Sequence, residues 1–414
     1  MASHSIVTHD TNRERKRKRK TSQRSWSDLP EDILRLVVQR LYLVDRFHLR
    51  QVCKNWLLTP IHDIASIDKL PWVLNYCFSP HRTICSLSDP YRKLPYIIEE
   101  ERGWDDERGW IPAGSLLFRA TAYASRYGWV LFSEKIRQVV HSTLYHVRQY
   151  YVYNPLTKDI ISLPRLELPQ NDYHDEHFAT FSSNPTSPDC LFVVPTLCNR
   201  GIYFFISTYA VGDKTWKTHK FICRYPYYFS FSTHDMAYME GSFYCYNREK
   251  ELSSFHIATQ EWRLLSNEPP LSDEWKFTRY FVAYGGHLHL AYLTKLEGDA
   301  APGCNIFRYD WLDGTWKKME SLEGGALFLG KPSFGFTGGE QTKMVANRVY
   351  YFSSHTSRPS FLVYGSAGME EKSDKSVCSQ TSQNKIYYDS WPEKSKSLGE
   401  SGSRMWMEPP SSMP

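Results

Sequence analysis

The 414-residue sequence lacks the spacing patterns of a disulfide framework or a zinc module. Its nine cysteines are odd in number and include no Cys-x-x-Cys pair, whereas both kinds of site need regularly spaced partners. Nor does any stretch approach the roughly 20 apolar residues that span a bilayer, and the N-terminus has no apolar core of the signal-peptide kind. We therefore expect a soluble, intracellular protein with reduced and mostly buried thiols.

Motifs of enzyme chemistry are lacking as well. There is no glycine-rich phosphate loop and no nucleophile elbow. The best metal candidates are His174 and His177 in "HDEH", which is flanked by proline and asparagine, and His287 and His289 in "HLH". The first pair stands beside two carboxylates, but in a loop of this composition, and the second pair is two ligands short of a tetrahedral site. We expect no catalytic residue, no metal and no cofactor.

Positive charge is concentrated in one short segment. Residues 13–20, "RERKRKRK", hold seven basic residues and one acidic residue and so carry +6, which leaves −1 for the rest of a chain with net charge +5. The first 25 residues are polar and poor in large apolar groups, so we expect them to be disordered. The near-neutral remainder gives no indication of membrane binding or of specific nucleic-acid binding.

Within this tail lies an unbroken basic string. It is formed by Arg15, Lys16, Arg17, Lys18, Arg19 and Lys20. Such a cluster on a flexible tail is typical of a nuclear-localisation signal. The alternative is a solvated tail that contacts RNA or phosphate without specificity. The expected location is the nucleus, and the cytoplasm as well.

Two helical patterns follow between Trp26 and Leu57. Asp28 can cap the first helix together with Glu31, and Asp45 can cap the second. Apolar residues recur at helical spacing, namely Ile33, Leu34, Val37, Val38 and Leu41, then Leu49, Val52, Cys53 and Trp56. Two helices this short bury too little area to be stable alone. Their apolar stripes must be covered by the following domain or by a partner.

This segment resembles the F-box, which opens with Leu-Pro and closes with Val-Cys-x-x-Trp. Nine positions match in order, and they are Leu29, Pro30, Ile33, Leu34, Val37, Leu41, Val52, Cys53 and Trp56. Leu57 departs from the arginine of many members, and Tyr42 departs within the connection. The resemblance implies docking on the Skp adaptor, which links F-box proteins to a cullin scaffold and a RING subunit for ubiquitin transfer. The nine residues are then the expected adaptor-binding set, divided between core and interface. A purely structural cap on the next domain is the alternative.

The sequence from about Leu70 to Trp406 carries a degenerate repeat. In each copy an aromatic residue precedes a polar turn, and an apolar residue stands seven positions later. The copies are "YNPLTKDI" from Tyr153, "YAVGDKTW" from Tyr209, "FHIATQEW" from Phe255 and "YDWLDGTW" from Tyr309. The spacing predicts a hairpin whose two bulky residues face the same core layer. The last positions of successive copies are 56, 46 and 54 residues apart, which is typical of propeller blades.

Short aromatic strands that follow glycine or asparagine form a second recurring element. They are "GWVLF" after Tyr127, "GSFYCY" from Gly241, "GHLHLAY" from Gly286 and "NRVYYF" from Asn347, and they predict the inner hairpin of each blade. The aromatic-x6-Trp spacing resembles kelch, but only Gly285-Gly286 supplies the paired glycine of that family. The whole set resembles more closely the plant-specific domain of unknown function behind F-boxes, described as a degenerate kelch-like propeller.

We therefore expect a mainly β chain in which a short all-α F-box precedes a six- or seven-bladed kelch-like β-propeller. The expected parts are a disordered tail at 1–25, the F-box at 26–65 and the propeller at 68–410, with a disordered loop at 365–383. The candidate blades lie near 70–98, 115–164, 178–221, 233–266, 280–320 and 326–355, with a possible seventh near 385–408. A charged insertion, 99–110, is either a substrate-reading loop or a solvated hairpin.

The expected function is that of the substrate-recognition subunit of an SCF-type ubiquitin ligase. The F-box would dock the Skp adaptor, and through it the cullin and RING subunits, while the propeller holds an unknown target protein. The target-binding residues are not indicated by any motif, because loop tips carry recognition on this kind of scaffold. One alternative is a nuclear scaffold that triggers no degradation. The other is a propeller enzyme, which would need polar residues converging at the central channel.

Overall fold

The computed structural model describes residues 25–41, 43–50, 52–57, 70–79, 82–88, 95–102, 120–140, 143–167, 178–197, 203–222, 236–247, 250–266, 270–271, 277–294, 303–343, 345–352, 359–364 and 403–410. Three predictions therefore fall outside the described residues. They concern the basic string of the tail, the "HDEH" segment and the loop at 365–383. Most of the charged insertion lies outside as well. The chain divides into two compact units, residues 1–61 and 62–414.

The described part of the first unit is helical. A short 3-10 turn, Trp26–Asp28, precedes three α-helices, which are α1 (Glu31–Arg40), α2 (Leu43–Arg50) and α3 (Lys54–Leu57). The predicted second apolar stripe is therefore interrupted, because the chain leaves the helix between Arg50 and Lys54. Two helices were predicted, and the described residues form three.

Both predicted helix caps are wrong. Helix α1 begins at Glu31 behind Pro30, whose side chain makes no capping hydrogen bond. Leu29 is extended, as expected of a residue before proline, and this separates Asp28 from the helix. Asp45 lies within the first turn of α2 and not before it. There its negative charge still interacts favourably with the helix dipole.

The described residues of the second unit form 25 β-strands. In chain order they are β1 Trp72–Ser79, β2 Arg82–Ser88, β3 Pro95–Arg102, β4 Thr121–Arg126, β5 Trp129–Val140, β6 Thr143–Tyr153, β7 Ile160–Ser162, β8 Leu166–Glu167, β9 Thr180–Phe181, β10 Leu191–Leu197, β11 Tyr203–Ala210, β12 Lys217–Ile222, β13 Met236–Met239, β14 Ser242–Tyr246, β15 Leu252–His256, β16 Glu261–Ser266, β17 Phe277–Tyr284, β18 His287–Thr294, β19 Cys304–Asp310, β20 Thr315–Lys318, β21 Ala326–Leu329, β22 Phe334–Phe336, β23 Arg348–Phe352, β24 Pro359–Val363 and β25 Ser403–Met407.

The described strands assemble into six sheets, which are the blades of a β-propeller. Blade 1 has the order β25-β1-β2-β3, blade 2 contains β4 to β8, blade 3 β9 to β12, blade 4 β13 to β16, blade 5 β17 to β20 and blade 6 β21 to β24. Edge strands of successive blades contact each other, as β25 does with β4, β4 with β9, β13 with β17 and β17 with β22. These edge strands are the inner strands of the ring.

The sequence predicted six or seven blades, and the described strands form six. The last candidate blade, near 385–408, is not a seventh sheet, because its described strand β25 completes the first sheet. Trp406 lies opposite Val73 of β1, and Met407 lies opposite Trp72. The C-terminal strand thus supplies the inner strand of blade 1 and closes the ring.

The repeat forms a hairpin, as predicted, and this hairpin joins the third and fourth strands of a blade. Tyr153 lies directly opposite Ile160, Phe255 opposite Trp262 and Tyr309 opposite Trp316. Residues directly opposite each other on antiparallel strands share one face of the sheet. The two bulky positions therefore lie on the same side of each blade.

The tryptophans of the repeat join neighbouring blades. Ring centroids are 5.6 Å apart between Trp216 of blade 3 and Tyr150 of blade 2. The corresponding distances are 4.9 Å from Trp262 of blade 4 to Phe204 of blade 3, and 5.8 Å from Trp316 of blade 5 to Tyr246 of blade 4. Each tryptophan therefore packs on the preceding blade. Ile160 of blade 2 is exposed instead.

Blade 6 departs from the common strand order. The chain enters at β21, turns back into the inner strand β22, and then forms β23 parallel to β21. The prediction that Asn347 turns an inner hairpin is therefore wrong, because β23, which follows it, pairs with β21 and β24. The glycine turns of blades 2, 4 and 5 do join inner hairpins. Gly128 is one of them, with φ +82°.

Candidate adaptor-binding surface

The helical unit has a small core of its own. Leu34 and Val38 of α1 pack with Leu49 of α2, and Leu41 and Trp56 lie partly buried against them. The end of α1 is held by a side chain of α2. The Val38 oxygen accepts from the Leu41 N–H at 3.1 Å, and the Nε of the buried Arg46 side chain also donates to the Val38 oxygen and to the Leu41 oxygen, at 3.0 Å each.

The 3-10 turn in front of α1 is held by α3. Trp56 Nε1 donates to the Trp26 oxygen at 3.2 Å, and Asn55 Nδ2 donates to the Ser27 oxygen at 3.0 Å. These bonds join segments about 30 positions apart in the sequence. They fix the position of the Leu29-Pro30 pair, which leads directly into α1.

Helix α1 carries a second apolar stripe, which the core does not cover. Ile33, Leu36 and Val37 are 45%, 50% and 39% exposed. They stand at offsets 0, 3 and 4, so they lie together on one side of the helix. We call these three residues the exposed helix face. Trp26, Val52 and Leu57 are also large apolar residues with exposed side chains. Exposed apolar side chains that lie together on one side of a helix are typical of an interaction site.

The nine predicted adaptor-binding residues fall into three groups. Leu34 is buried, and Leu29, Leu41, Cys53 and Trp56 are partly buried. Exposed side chains are found at Pro30, Ile33, Val37 and Val52. The prediction left out Leu36 and Trp26. Leu36 lies outside the F-box motif, but its position three residues after Ile33 could have identified it as part of the same helix face.

The structure also places one of the two metal candidates. His287 and His289 lie on one face of β18, and the His289 ring stacks on Tyr284 with centroids 4.1 Å apart. Burial, then the charges of His287 and Arg308, lower the pKa of His289 to about 3. The ring is therefore neutral and packed among aromatic groups. Within the described residues, no three side chains of metal-binding type form a group that could hold an ion.

Among the residues that the structure describes, no helix is both long and apolar enough to cross a membrane.

Two family models match the chain. The F-box domain matches residues 26–58, and the KIB1-4 beta-propeller matches residues 108–387, which is more than half of the chain. The first match contains the exposed helix face. The second covers blades 2 to 6 of the propeller.

Curated relatives come from Arabidopsis thaliana. An F-box/kelch-repeat protein is 24% identical over 80% of this chain and 84% of its own length. An F-box protein is 26% identical over 78% of this chain, and another is 28% identical over 58%. The chain spans 61% and 53% of these last two, less than two thirds of each. A solved α-L-arabinanase from Penicillium chrysogenum aligns over 57% of this chain and 72% of that chain, at 11% identity and a TM-score of 0.30. That similarity is too low to support an inference.

Proposed function

Because the chain belongs to the family of F-box proteins with a KIB1-4 β-propeller, we propose that it is a substrate-recognition subunit of an SCF-type cullin-RING ubiquitin ligase. In this proposal the F-box docks the Skp adaptor, and the propeller binds the protein to be ubiquitinated. The exposed helix face is the observation that supports it most directly. The helical unit already has a core, so these apolar side chains are free to pack against another polypeptide.

The size of the exposed helix face is sufficient to anchor a partner. Complete burial of a large aliphatic side chain contributes about 1.5–3 kcal/mol. Since Ile33, Leu36 and Val37 are about half exposed, covering all three would contribute on the order of 3 kcal/mol. A few buried anchors usually carry most of the binding energy of an interface. Trp26 and Pro30 would extend the contact toward the start of the helix.

In this proposal the chain is not itself an enzyme. Ubiquitin transfer in such an assembly requires that the target be held close to the enzyme that carries ubiquitin. Proximity of this kind needs no catalytic residue in the receptor. The basic string from Arg15 to Lys20 would direct the protein to the nucleus. A nuclear scaffold without ligase activity is the second candidate. It predicts the same location but no adaptor binding.

The experiment is co-purification of the full chain with the Skp adaptor. We expect Ile33→Asp with Val37→Asp to abolish binding, since it places two carboxylates at the proposed contact. Arg35→Asp is the matched control, because position 35 lies on the side of α1 away from Ile33 and Val37 and is exposed. Leu29→Ala with Pro30→Ala should abolish binding as well. Full retention of the adaptor by both double variants would contradict the proposal.

A further inference from the structure

The third and fourth strands of blades 2 and 5 are joined by the same kind of turn. In blade 2, Asn154 Oδ1 accepts hydrogen bonds from the backbone N–H groups of Leu156 and Thr157, at 2.9 and 3.3 Å. In blade 5, Asp310 Oδ1 accepts from Leu312 and Asp313, again at 2.9 and 3.3 Å. The two turns can therefore be compared position by position, and Leu312 corresponds to Leu156.

The corresponding leucines differ completely in exposure. Leu156 is 5% exposed and Leu312 is 96% exposed. The same position is glycine in blade 3 (Gly212) and alanine in blade 4 (Ala258). Among these four described turns, only that of blade 5 presents a large apolar side chain at its tip. A leucine this exposed contributes almost nothing to the folded core, so the stability of the fold does not explain it.

The preceding residue, Trp311, widens this apolar tip and is held in place. Its ring lies edge-on against Tyr309 of the same blade, at a centroid distance of 5.0 Å. It also lies 5.7 Å from Tyr244 of blade 4. The tryptophan remains partly exposed. The rings therefore form a firm base from which Leu312 projects.

Charged groups brace the turn and surround its tip. Lys317 Nζ lies 2.6 Å from the Asp310 carboxylate and 2.5 Å from that of Asp313. The hydrogen bond from Lys317, with those from the turn backbone, lowers the pKa of Asp310 to about 2. Two carboxylates therefore share one ammonium group, and the segment from Asp310 to Lys317 carries a net charge of −1. The rim of the tip is acidic, and little of the turn must be ordered on binding.

From this geometry we infer that Trp311 and Leu312 form an anchor by which the propeller holds its target protein. The target would offer an apolar pocket bordered by lysine or arginine side chains, into which Leu312 inserts. A protruding apolar group with a complementary charged rim is typical of the residues that dominate an interface. A second copy of this chain fits less well, because a two-fold contact would bring the same carboxylates together. The inference rests on the proposed function and names the surface through which it acts.

The first experiment places a photo-crosslinking amino acid, p-benzoylphenylalanine, at position 312 of the full chain in plant cells treated with a proteasome inhibitor. The matched probe stands at position 258, the same turn position in blade 4. A protein crosslinked from 312 and not from 258 is then purified and supplied to the reconstituted ligase. We expect that it is ubiquitinated by the wild-type assembly. Absence of any crosslink specific to 312, or a crosslink only to another copy of this chain, would overturn the inference.

The second experiment tests dependence on the anchor. We expect Leu312→Asp to reduce ubiquitination of that protein about tenfold or more, as for a residue that dominates an interface, while Ala258→Asp has no effect. All variants should retain the Skp adaptor and unfold at the same temperature, since both positions are exposed. Equal activity of Leu312→Asp and wild type would overturn the inference. A protein that binds through Leu312 but receives no ubiquitin from the wild-type assembly would contradict the proposed function and leave the anchor intact.

Discussion

Closure of the ring depends on one tryptophan in the last strand. Trp406 of β25 is completely buried and packs against blade 6. Its ring stacks on Phe352 at 4.7 Å and meets Phe328 edge-on at 5.3 Å. Its Nε1 donates to the Leu329 oxygen at 3.0 Å. Because β25 is also the inner strand of blade 1, this side chain joins the first and last blades.

The cost of removing it follows from these contacts. Replacing a buried aromatic residue with alanine typically costs about 3–5 kcal/mol. Leaving the Leu329 carbonyl without its buried donor adds about 1–3 kcal/mol. We expect Trp406→Ala to lower the free energy of unfolding by about 4–8 kcal/mol, a large part of the roughly 5–15 kcal/mol typical of a folded protein. Trp406→Phe keeps a ring in the site and should cost about 1–3 kcal/mol, mostly for the lost hydrogen bond.

The assay is urea unfolding followed by far-UV circular dichroism. Leu312→Ala is the control, since it removes a side chain that is 96% exposed and should change stability by about 0.5 kcal/mol or less. The order Trp406→Ala, Trp406→Phe, wild type in rising stability is the expected result. If Trp406→Ala unfolds within about 1 kcal/mol of wild type, β25 does not close the ring and the packing argument is wrong.

Two further predictions concern blades 5 and 6. A methyl group on Gly335 of the inner strand β22 would overlap the Tyr284 ring, so Gly335→Ala should destabilise the protein by about 1–3 kcal/mol in urea unfolding. Gly303→Ala is the control and should be nearly neutral, because its added carbon would lie 3.4 Å from Thr294. Equal stability of the two variants would refute the assigned contact. The pKa of His289 is about 3 in the folded chain and about 6.5 in the unfolded chain, so the unfolded state binds more protons between these values, and the free energy of unfolding falls as the pH is lowered below about 6.5. His289→Phe should flatten this fall in the free energy of unfolding between about pH 6.5 and 5. An unchanged slope would contradict the assigned pKa shift.

Much of the propeller was predictable because its signals are local. An aromatic residue and an apolar residue seven positions apart face each other across a short hairpin, whatever the rest of the chain does. The register Tyr309 to Trp316 therefore follows from the turn alone. The inner hairpin at Gly128 follows in the same way, since a turn with positive φ favours glycine. The sixth blade broke the pattern at Asn347, because its parallel pair β21–β23 joins strands that are distant in sequence.

The candidate site was only partly predictable, for a related reason. Helical periodicity indicates which residues of α1 share a face, but not which of two adjacent faces is covered. Leu34 and Val38 are inside because Leu49 of α2 packs on them, and Ile33 and Val37 are left outside. Leu312 is a similar case, since the hydrogen bonds from its own N–H and from that of the next residue match those in the turn of Leu156. The exposure of each leucine depends on what surrounds its turn, and the repeat contains no information about that.

The sequence by itself determined the helical front, the strand-rich body and the hairpins of the blades, because each is fixed by residues a few positions apart. The tertiary structure alone decided that the described strands form six blades, that the last of these strands completes the first sheet, and which apolar side chains stay exposed. Those outcomes depend on contacts between segments far apart in the chain. A periodic pattern records which residues share a face, and only packing determines what covers it.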